Sequence, residues 1–256
     1  MTANRTIIIG DVHGCLTELR ELLALVAPTA DDSVVFVGDL VDKGPDSPGV
    51  VREVRELREG GVPVVLVLGN HEEKHARVRR RIGSGEDVSV VKGGDDIARI
   101  TAALSPADVA FLETAVVSHA VPEHDAVVVH AGVLPTTRAV PTEASLAGAS
   151  RKERDSALRV LRVRFVTPEG VFVTLGNEGP ADKYWASVYD GRFGHVYFGH
   201  EPFHANVDAS RFRHATGTDH GCVFGGWLTA VVLTAGAEPT EVSVRAHERY
   251  ATHLGE

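Results

Sequence analysis

The chain has 256 residues, which is long enough to bury a large core without staples, and no linker-like stretch divides it. Its net charge of −9 provides no broad electrostatic surface for nucleic acid or anionic membranes, so we expect neither as a stable partner. Two cysteines, Cys15 and Cys222, exclude a disulfide framework and favour a reducing compartment. No apolar run approaches a length of about 18 residues, which a membrane span requires. We therefore expect one cytoplasmic domain over residues 1–256.

The first part of the chain alternates between apolar strands and amphipathic helices. β-Branched runs predict buried strands at 6–9, 34–37 and 64–67. The segments between them carry apolar residues at helical spacing, over 16–26 and 50–57. This β-α-β-α-β order with short connections predicts a mostly parallel sheet with right-handed crossovers.

Each of these three strands runs into a turn that carries potential metal ligands. Asp11 and His13 follow the first strand, Asp39 follows the second, and Asn70 and His71 follow the third. Because open α/β sheets place their chemistry at the carboxyl ends of the strands, we expect these side chains to meet at one edge. Carboxylate, amide and imidazole groups without cysteine suit Mn, Fe, Zn or Mg rather than a structural thiolate zinc site.

The middle of the chain predicts further helices and a second set of strands. A charged helix is expected over 74–81, and another begins at Ser105 with a serine cap and a first-turn proline. Two short strands follow at 115–120 and 126–129. The second of them ends in His130, again a potential ligand at a strand end.

Residues 136–194 are the least regular part of the sequence, and we expect them to form helices and loops near the mouth of the site. Further strands are predicted at 196–198, 215–221, 228–233 and 242–244. The first of these strands ends in His200. The late strands are expected to form antiparallel hairpins in a second sheet.

With these motifs assembled, the chain resembles the calcineurin-like metallophosphoesterases, on the branch of Ser/Thr protein phosphatases, bacterial PrpE-like phosphatases and symmetrical diadenosine tetraphosphatases. The resemblance covers roughly residues 6–235. It rests on Gly10–Gly14 (GDVHG), Gly38–Gly44 (GDLVDKG), Gly69–Glu72 (GNHE), His130–Gly132 (HAG) and Gly199–His200 (GH). It implies an α/β fold in which a two-sheet β-sandwich is flanked by helices.

The family resemblance implies a site for two divalent ions. It assigns one ion to Asp11 and His13, the bridging position to Asp39, and the second ion to Asn70, His130 and His200. A bridging water then becomes a nucleophile at neutral pH and attacks phosphorus directly, so no phosphoenzyme is expected. We expect manganese, with iron, zinc, nickel and magnesium as alternatives.

The resemblance also implies residues for proton transfer and for phosphate. His71 would protonate the leaving oxygen, and Asp42 would fix the tautomer of that imidazole. Lys43 stands where protein phosphatases commonly carry arginine, so a point charge would replace a bidentate clamp. Arg164, with Arg162 as the alternative, resembles the later arginine that some relatives place on the phosphate.

Two substrate classes stay open. Phosphomonoesters, either phosphoproteins or small phosphorylated metabolites, are the first expectation, and symmetrical hydrolysis of dinucleoside polyphosphates is the second. Trp185 would offer a stacking surface for a base in the second class, although packing is its expected role, and His220 lies near the expected metal loop. A non-catalytic scaffold would need a lost ligand or acid, and the motifs lack none.

Overall fold

Strands and helices alternate along the chain, which a computed structural model describes over residues 5–203 and 207–252. The strands are β1 (Arg5–Ile9), β2 (Ser33–Phe36), β3 (Val64–Leu66), β4 (Ser118–Val121), β5 (Ala126–Val129), β6 (Phe165–Val166), β7 (Phe172–Val173), β8 (Lys183–Tyr184), β9 (His195–Phe198), β10 (Arg211–Phe212), β11 (Ala215–Gly217), β12 (Asp219–His220), β13 (Trp227–Thr234) and β14 (Thr240–Arg245). The α-helices are α1 (Leu16–Val26), α2 (Ser47–Glu59), α3 (Asn70–Gly83), α4 (Gly94–Ala103), α5 (Pro106–Leu112), α6 (Glu143–Ala147), α7 (Arg151–Ala157) and α8 (Trp185–Val188). Short 3-10 turns occupy Pro122–His124, Leu158–Leu161, Val207–Ser210 and Cys222–Phe224.

Two β-sheets form the centre of the molecule. The first has the order β12-β13-β1-β2-β3, with β14 paired to β13, and the second has the order β10-β11-β9-β5-β4. A small third sheet, β7-β6-β8, lies in the irregular region. The parallel pairing of β1 with β2 and of β2 with β3 agrees with the predicted crossovers. The α/β sandwich of two sheets flanked by helices is confirmed.

The predicted make-up of the second sheet is wrong. The hairpin of β13 and β14 belongs to the first sheet, where β13 pairs antiparallel with β1. In the second sheet, β9 pairs in parallel with both β5 and β11. The physical reason is that β13 is buried over most of its length, so the backbone N–H and C=O groups on both of its edges need partners, which β1 supplies on one edge and β14 on the other.

Side chains alternate between two cores along the central strands. Ile8 and Val35 point into the space between the sheets, where they meet Val128 of the second sheet. Ile7 and Ile9 point to the opposite face and pack with the apolar stripes of α1 and α2. Because β1, β2 and β3 pair in parallel, their carboxyl ends lie side by side.

Helix α3 begins four residues earlier than predicted. Gly69 occupies the N-cap position, and the side chain of Glu72 at the third helical position accepts the backbone N–H of Gly69 at 3.1 Å. The helix therefore starts at Asn70, immediately after the strand-end turn. Helix α4 has no counterpart among the predicted elements, and it packs against α3. Among the described helices, none combines the length and apolar character that crossing a membrane requires.

Candidate active site

Asp39 lies at the centre of a cluster of buried imidazoles. Its Oδ2 is 3.4 Å from His13 Nε2 and 3.9 Å from His71 Nε2, and its Oδ1 is 3.4 Å from His130 Nε2. All four side chains are buried. A carboxylate that imidazoles approach from both sides has the surroundings that a bridging metal ligand needs.

Asn70 joins the histidines that come from the second sheet. Its Oδ1 is 2.8 Å from His130 Nε2 and 2.9 Å from His200 Nδ1. The carboxylate of Asp11 accepts the backbone N–H of His200 at 3.1 Å. The ends of β1, β3, β5 and β9 therefore contribute to one site, as the strand-end motifs predict.

The donor atoms form two groups that share Asp39. The ligand atoms of His13, Asp39 and His71 lie within 4.8 Å of one another, and so do those of Asp39, His130 and His200. Asp11 belongs to neither group and lies beside them. Because His71 is in the first group, its proximity alone does not separate metal ligation from proton transfer.

Backbone carbonyls orient two of the imidazoles toward Asp39. His13 Nδ1 is 2.8 Å from the carbonyl oxygen of Val41, and His130 Nδ1 is 2.9 Å from that of Val37. A carbonyl oxygen only accepts, so both Nδ1 atoms carry protons and the Nε2 atoms face the cluster. Metal-binding histidines typically donate the N–H of their other ring nitrogen to a carbonyl oxygen or a carboxylate in this way. The carboxylate, amide and imidazole groups gathered here fit two divalent ions.

Left-handed backbone conformations concentrate at these turns. Among the described non-glycine residues, seven have a positive φ, and five of them belong to the site: His13, Asp39, Asp42, Lys43 and His200. Such conformations are costly and persist where the surrounding structure enforces them, typically at functional sites.

Two positions require glycine because a carboxylate lies close to the backbone at each of them. A Cβ atom at Gly69 would collide with the carboxylate of Asp39, and one at Gly199 would collide with that of Asp11. The glycines of these two motifs therefore provide the space in which the acidic groups lie.

Burial and neighbouring charges shift the protonation of Asp11 and His13 toward their neutral forms. Burial raises the pKa of Asp11 well above its ordinary value, and the nearby carboxylate of Asp219 adds to the effect. Burial lowers the pKa of His13, and the ammonium of Lys43 lowers it further. A neutral imidazole is the form that binds a metal ion.

Asp39 and His130 form a charged pair despite their burial. Burial disfavours the imidazolium of His130, but the Asp39 carboxylate outweighs it and raises the pKa of His130 to about 9. Burial likewise opposes ionisation of Asp39, but the neighbouring imidazoles, His130 foremost, hold its pKa well below the ordinary value. A divalent cation would replace the proton on His130 as the charge that balances Asp39.

His71 and Asp42 form the hydrogen-bonded pair that the family resemblance implies. His71 Nδ1 is 2.6 Å from Asp42 Oδ2. His71 Nε2 is buried and has no hydrogen-bond partner within the described part of the chain. Burial disfavours charge on Asp42, but hydrogen bonds from His71 and His75 hold its pKa below the ordinary value. The pair thus presents one imidazole nitrogen to the cluster and anchors the other.

Lys43 lies at the edge of the same cluster. Its Nζ is 3.0 Å from His13 Nε2 and 5.4 Å from the centre of the Phe224 ring. The ammonium is therefore close enough to the ligand groups to meet a phosphate oxygen there.

The two candidate arginines lie in different places. Arg164 is buried, and it donates from Nε to Glu201 at 2.5 Å and from Nη2 to the carbonyl oxygen of His200 at 3.1 Å. It lines a small cavity with Lys43, Asp39 and Asp219. Arg162 pairs instead with Glu73 at 2.8 Å, and its side chain is 37% exposed. The structure brings Arg164 to the site and leaves Arg162 outside it.

Glu72 is a site residue that sequence reasoning missed. Its carboxylate is buried and accepts the backbone N–H groups of Asp39 and Leu40, both at 2.8 Å. The helix-capping pattern of the GNHE motif is the signal for it, because a glutamate at the third helical position normally bonds back to the cap. Here the same carboxylate also fixes the turn that carries Asp39.

Asp219, rather than His220, faces the site. Asp219 is buried, and burial raises its pKa to about 6. His220 points to the other side of its strand, where Nδ1 is 2.7 Å from Thr229 Oγ1. The two-residue periodicity of a strand implies that only one of these neighbours faces the metal loop, but it does not indicate which.

A groove between α3 and α4 opens beside the His71–Asp42 pair, and we name it the α3–α4 groove. It has a volume of about 540 Å³, and Asp42, Lys43 and His71 are among the residues that line it. Lys74 and Lys92 add positive charge to its lining, and apolar side chains of α4 contribute as well. This volume is in the range of small-molecule sites.

Trp185 is a packing residue and does not offer a surface for a base. It has no exposed area, its ring lies 5.0 Å from that of Phe198, and it occupies the space that a Cβ at Gly132 would need. Its indole ring fills the space next to Gly132 of the HAG turn.

Replacing Trp185 with alanine should therefore act on stability and not on substrate choice. We expect a loss of about 3–5 kcal/mol in the free energy of unfolding, as for other large core truncations. Urea denaturation measures it, and Trp227→Ala is the control because Trp227 is 39% exposed. A Trp185→Ala variant that keeps wild-type stability but loses only dinucleotide hydrolysis would contradict this role.

Comparisons with known proteins identify the family of the chain. The profile of the calcineurin-like phosphoesterase family matches residues 5–203. The symmetrical bis(5′-nucleosyl)-tetraphosphatase of Paraburkholderia phymatum is 30% identical, with 94% of each chain covered. The asymmetrical bis(5′-nucleosyl)-tetraphosphatase PrpE of Bacillus velezensis is 31% identical, over 87% of this chain and 86% of the relative.

Solved structures show the same fold. A crystal structure of a candidate diadenosine tetraphosphatase superposes with a TM-score of 0.69 at 28% identity, over 96% of this chain and 95% of the other. A serine/threonine phosphatase from Saccharomyces cerevisiae, at 15% identity, has a TM-score of 0.59 over 96% of this chain and 81% of its own. Its likeness concerns the fold alone. Motifs, site and comparisons together place the chain in the calcineurin-like phosphoesterase family, whose members are metal-dependent hydrolases of phosphate ester or anhydride bonds.

Proposed function

We propose that this protein is a two-metal phosphatase that transfers a phosphoryl group directly to water. The observation that carries the proposal is the position of Asp39, shared by two groups of ligand atoms, with the His71–Asp42 pair at their edge. Two metal ions held around one carboxylate, next to an anchored imidazole, are the parts that hydrolysis of a phosphate ester needs.

The ligands of each ion are assigned as the family resemblance implies, and each of them lies at the end of a strand. One ion would be held by Asp11, His13 and Asp39, and the other by Asp39, Asn70, His130 and His200. Bound ions supply Lewis acidity and activate water for attack on phosphorus. We propose manganese as the ion, because mixed carboxylate, amide and imidazole ligands suit a borderline divalent metal.

The chain's own residues would handle the proton and the phosphate. His71 would donate a proton from Nε2 to the leaving oxygen, and Asp42 would hold the imidazole through Nδ1 and stabilise its charged form. Lys43 and Arg164 would contact the phosphate oxygens from the small cavity that they share with Asp39.

Phosphomonoesters are the first substrate class that we propose, because one lysine and one arginine beside the ligands suit a single phosphoryl group. Hydrolysis of dinucleoside polyphosphates is the second candidate. The relatives named above carry that activity in their names, and Lys74 and Lys92 give the α3–α4 groove charges for a longer phosphate chain. We place either reaction in the cytoplasm.

Removing metal should abolish activity, and Mn²⁺ should restore it best, with weaker turnover in Mg²⁺. The experiment measures p-nitrophenyl phosphate hydrolysis by chelator-stripped protein that is reloaded with one metal at a time. Stripped protein that keeps its full rate, with metal absence checked by elemental analysis, would show that the two-metal mechanism is wrong.

The same reloaded protein separates the substrate classes. Phosphopeptides and p-nitrophenyl phosphate represent monoesters, and bis-p-nitrophenyl phosphate reports diesterase activity. Dinucleoside tetraphosphates represent the second class, and their products distinguish symmetrical from asymmetrical cleavage. A kcat/KM for the tetraphosphate far above that for every monoester would make the second candidate the function.

A further inference from the structure

A third side chain lies behind the His71–Asp42 pair and has no role in the mechanism above. His75 is fully buried on α3, one helical turn after His71. Its Nε2 is 2.7 Å from Asp42 Oδ1, so each oxygen of that carboxylate meets a different imidazole. The result is a continuous chain from His71 through Asp42 to His75.

We propose that His75 is a positioning residue for proton transfer: it holds Asp42 at the angle that directs His71 Nε2 toward the leaving oxygen. The proposal rests on the proposed function, because it concerns the acid of that reaction. It adds a residue that the metal ligands and the His71–Asp42 pair do not include.

The protonation of His75 follows from its partners. A carboxylate only accepts, so His75 Nε2 carries a proton and donates it to Asp42. Its other nitrogen, Nδ1, is 3.4 Å from the hydroxyl oxygen of Thr101 on α4, and that hydroxyl can donate. A neutral imidazole with its proton on Nε2 therefore satisfies both neighbours.

The position of Asp42 explains why a second anchor is needed. Asp42 lies in a left-handed turn with a φ of 70°, and its backbone N–H donates to Ser47 Oγ at 2.9 Å. These contacts fix its backbone but leave the rotation of the carboxylate open. His75 fixes that rotation. The carboxylate must accept a hydrogen bond from His75 at Oδ1 and one from His71 at Oδ2 at the same time, and only one orientation allows both.

Two substitutions of similar polarity test this role. Glutamine reaches as far as Nε2 and can donate to Asp42, whereas asparagine reaches only as far as Nδ1. We expect His75→Gln to stay within about threefold of wild type and His75→Asn to lose about 10–100-fold, as outer-shell partners do. This loss applies to phosphoserine peptide, whose leaving group needs the proton. With p-nitrophenyl phosphate, His75→Asn should lose less than about threefold.

Metal content and thermal stability are measured on each Mn²⁺-loaded variant, and both metals should stay bound. Equal slowing of His75→Asn on the two esters, or a His75→Gln variant as slow as His75→Asn, would overturn the proposal. Thr101→Val is the companion variant, and it should show a milder loss on the peptide alone. If wild type shows no metal-dependent turnover on either ester or on dinucleoside tetraphosphate, the proposed function fails. An active wild type with an unaffected His75→Asn removes only the role of His75.

Discussion

Replacing Asp39 with asparagine is expected to remove metal binding and turnover together, for every substrate. The two groups of ligand atoms share this carboxylate, so the substitution takes a negative charge from both ions at once. We expect the loss of activity to exceed the roughly 10–100-fold that follows when an outer-shell partner is removed. Elemental analysis after gel filtration, with rates on p-nitrophenyl phosphate and phosphoserine peptide, measures both effects.

The substitution should leave the fold intact. Asp39 has a φ of 53°, and asparagine tolerates this left-handed conformation. The amide oxygen of asparagine can also keep the bond that Asp39 Oδ1 accepts from the backbone N–H of His71, at 3.1 Å. Asp31→Asn is the matched control, because Asp31 is exposed. An Asp39→Asn variant that binds two metals and turns over substrate would contradict the bridging role.

The parts of the site that could be predicted are those encoded within a few residues. An apolar β-branched run predicts a strand, and the first charged or imidazole side chain at its end is a candidate ligand. This pattern singles out Asp11, Asp39 and His130, and the short crossovers predict the parallel order of the first strands. Neither inference needs knowledge of distant contacts.

The parts that could not be predicted depend on contacts between distant segments. His75 becomes a neighbour of Asp42 only because α3 starts at Asn70, which brings it one turn below His71; a helix starting at residue 74 hides that relation. The place of β13 beside β1 is set by pairing across most of the chain. The sequence alone does not decide whether Arg164 or Arg162 lies at the site. The decision depends on the fold, in which Arg164 donates to the carbonyl oxygen of His200.

Replacing His71 with asparagine should slow the ester of a poor leaving group by roughly 10²–10⁴-fold, the usual contribution of general acid catalysis. The leaving oxygen of a phosphoserine peptide is an unstabilised alkoxide that needs the proton from Nε2. p-Nitrophenolate is stable without a proton, so its ester should lose much less. Asp42→Asn should repeat this pattern more mildly, because it misorients the imidazole without removing it.

Metal content decides between the two roles that the geometry gives to His71. His71 Nε2 is 3.9 Å from Asp39 Oδ2 and belongs to one group of ligand atoms, so it is close enough to serve as a ligand. Its Nδ1, however, is bonded to a carboxylate, which suits an acid that must carry positive charge before it donates. His71→Asn should therefore keep both metals, as should the control His124→Asn at the opposite end of β5. A His71→Asn protein that loses metal would make His71 a ligand, and one that slows both esters to the same extent would also rule out its role as the acid.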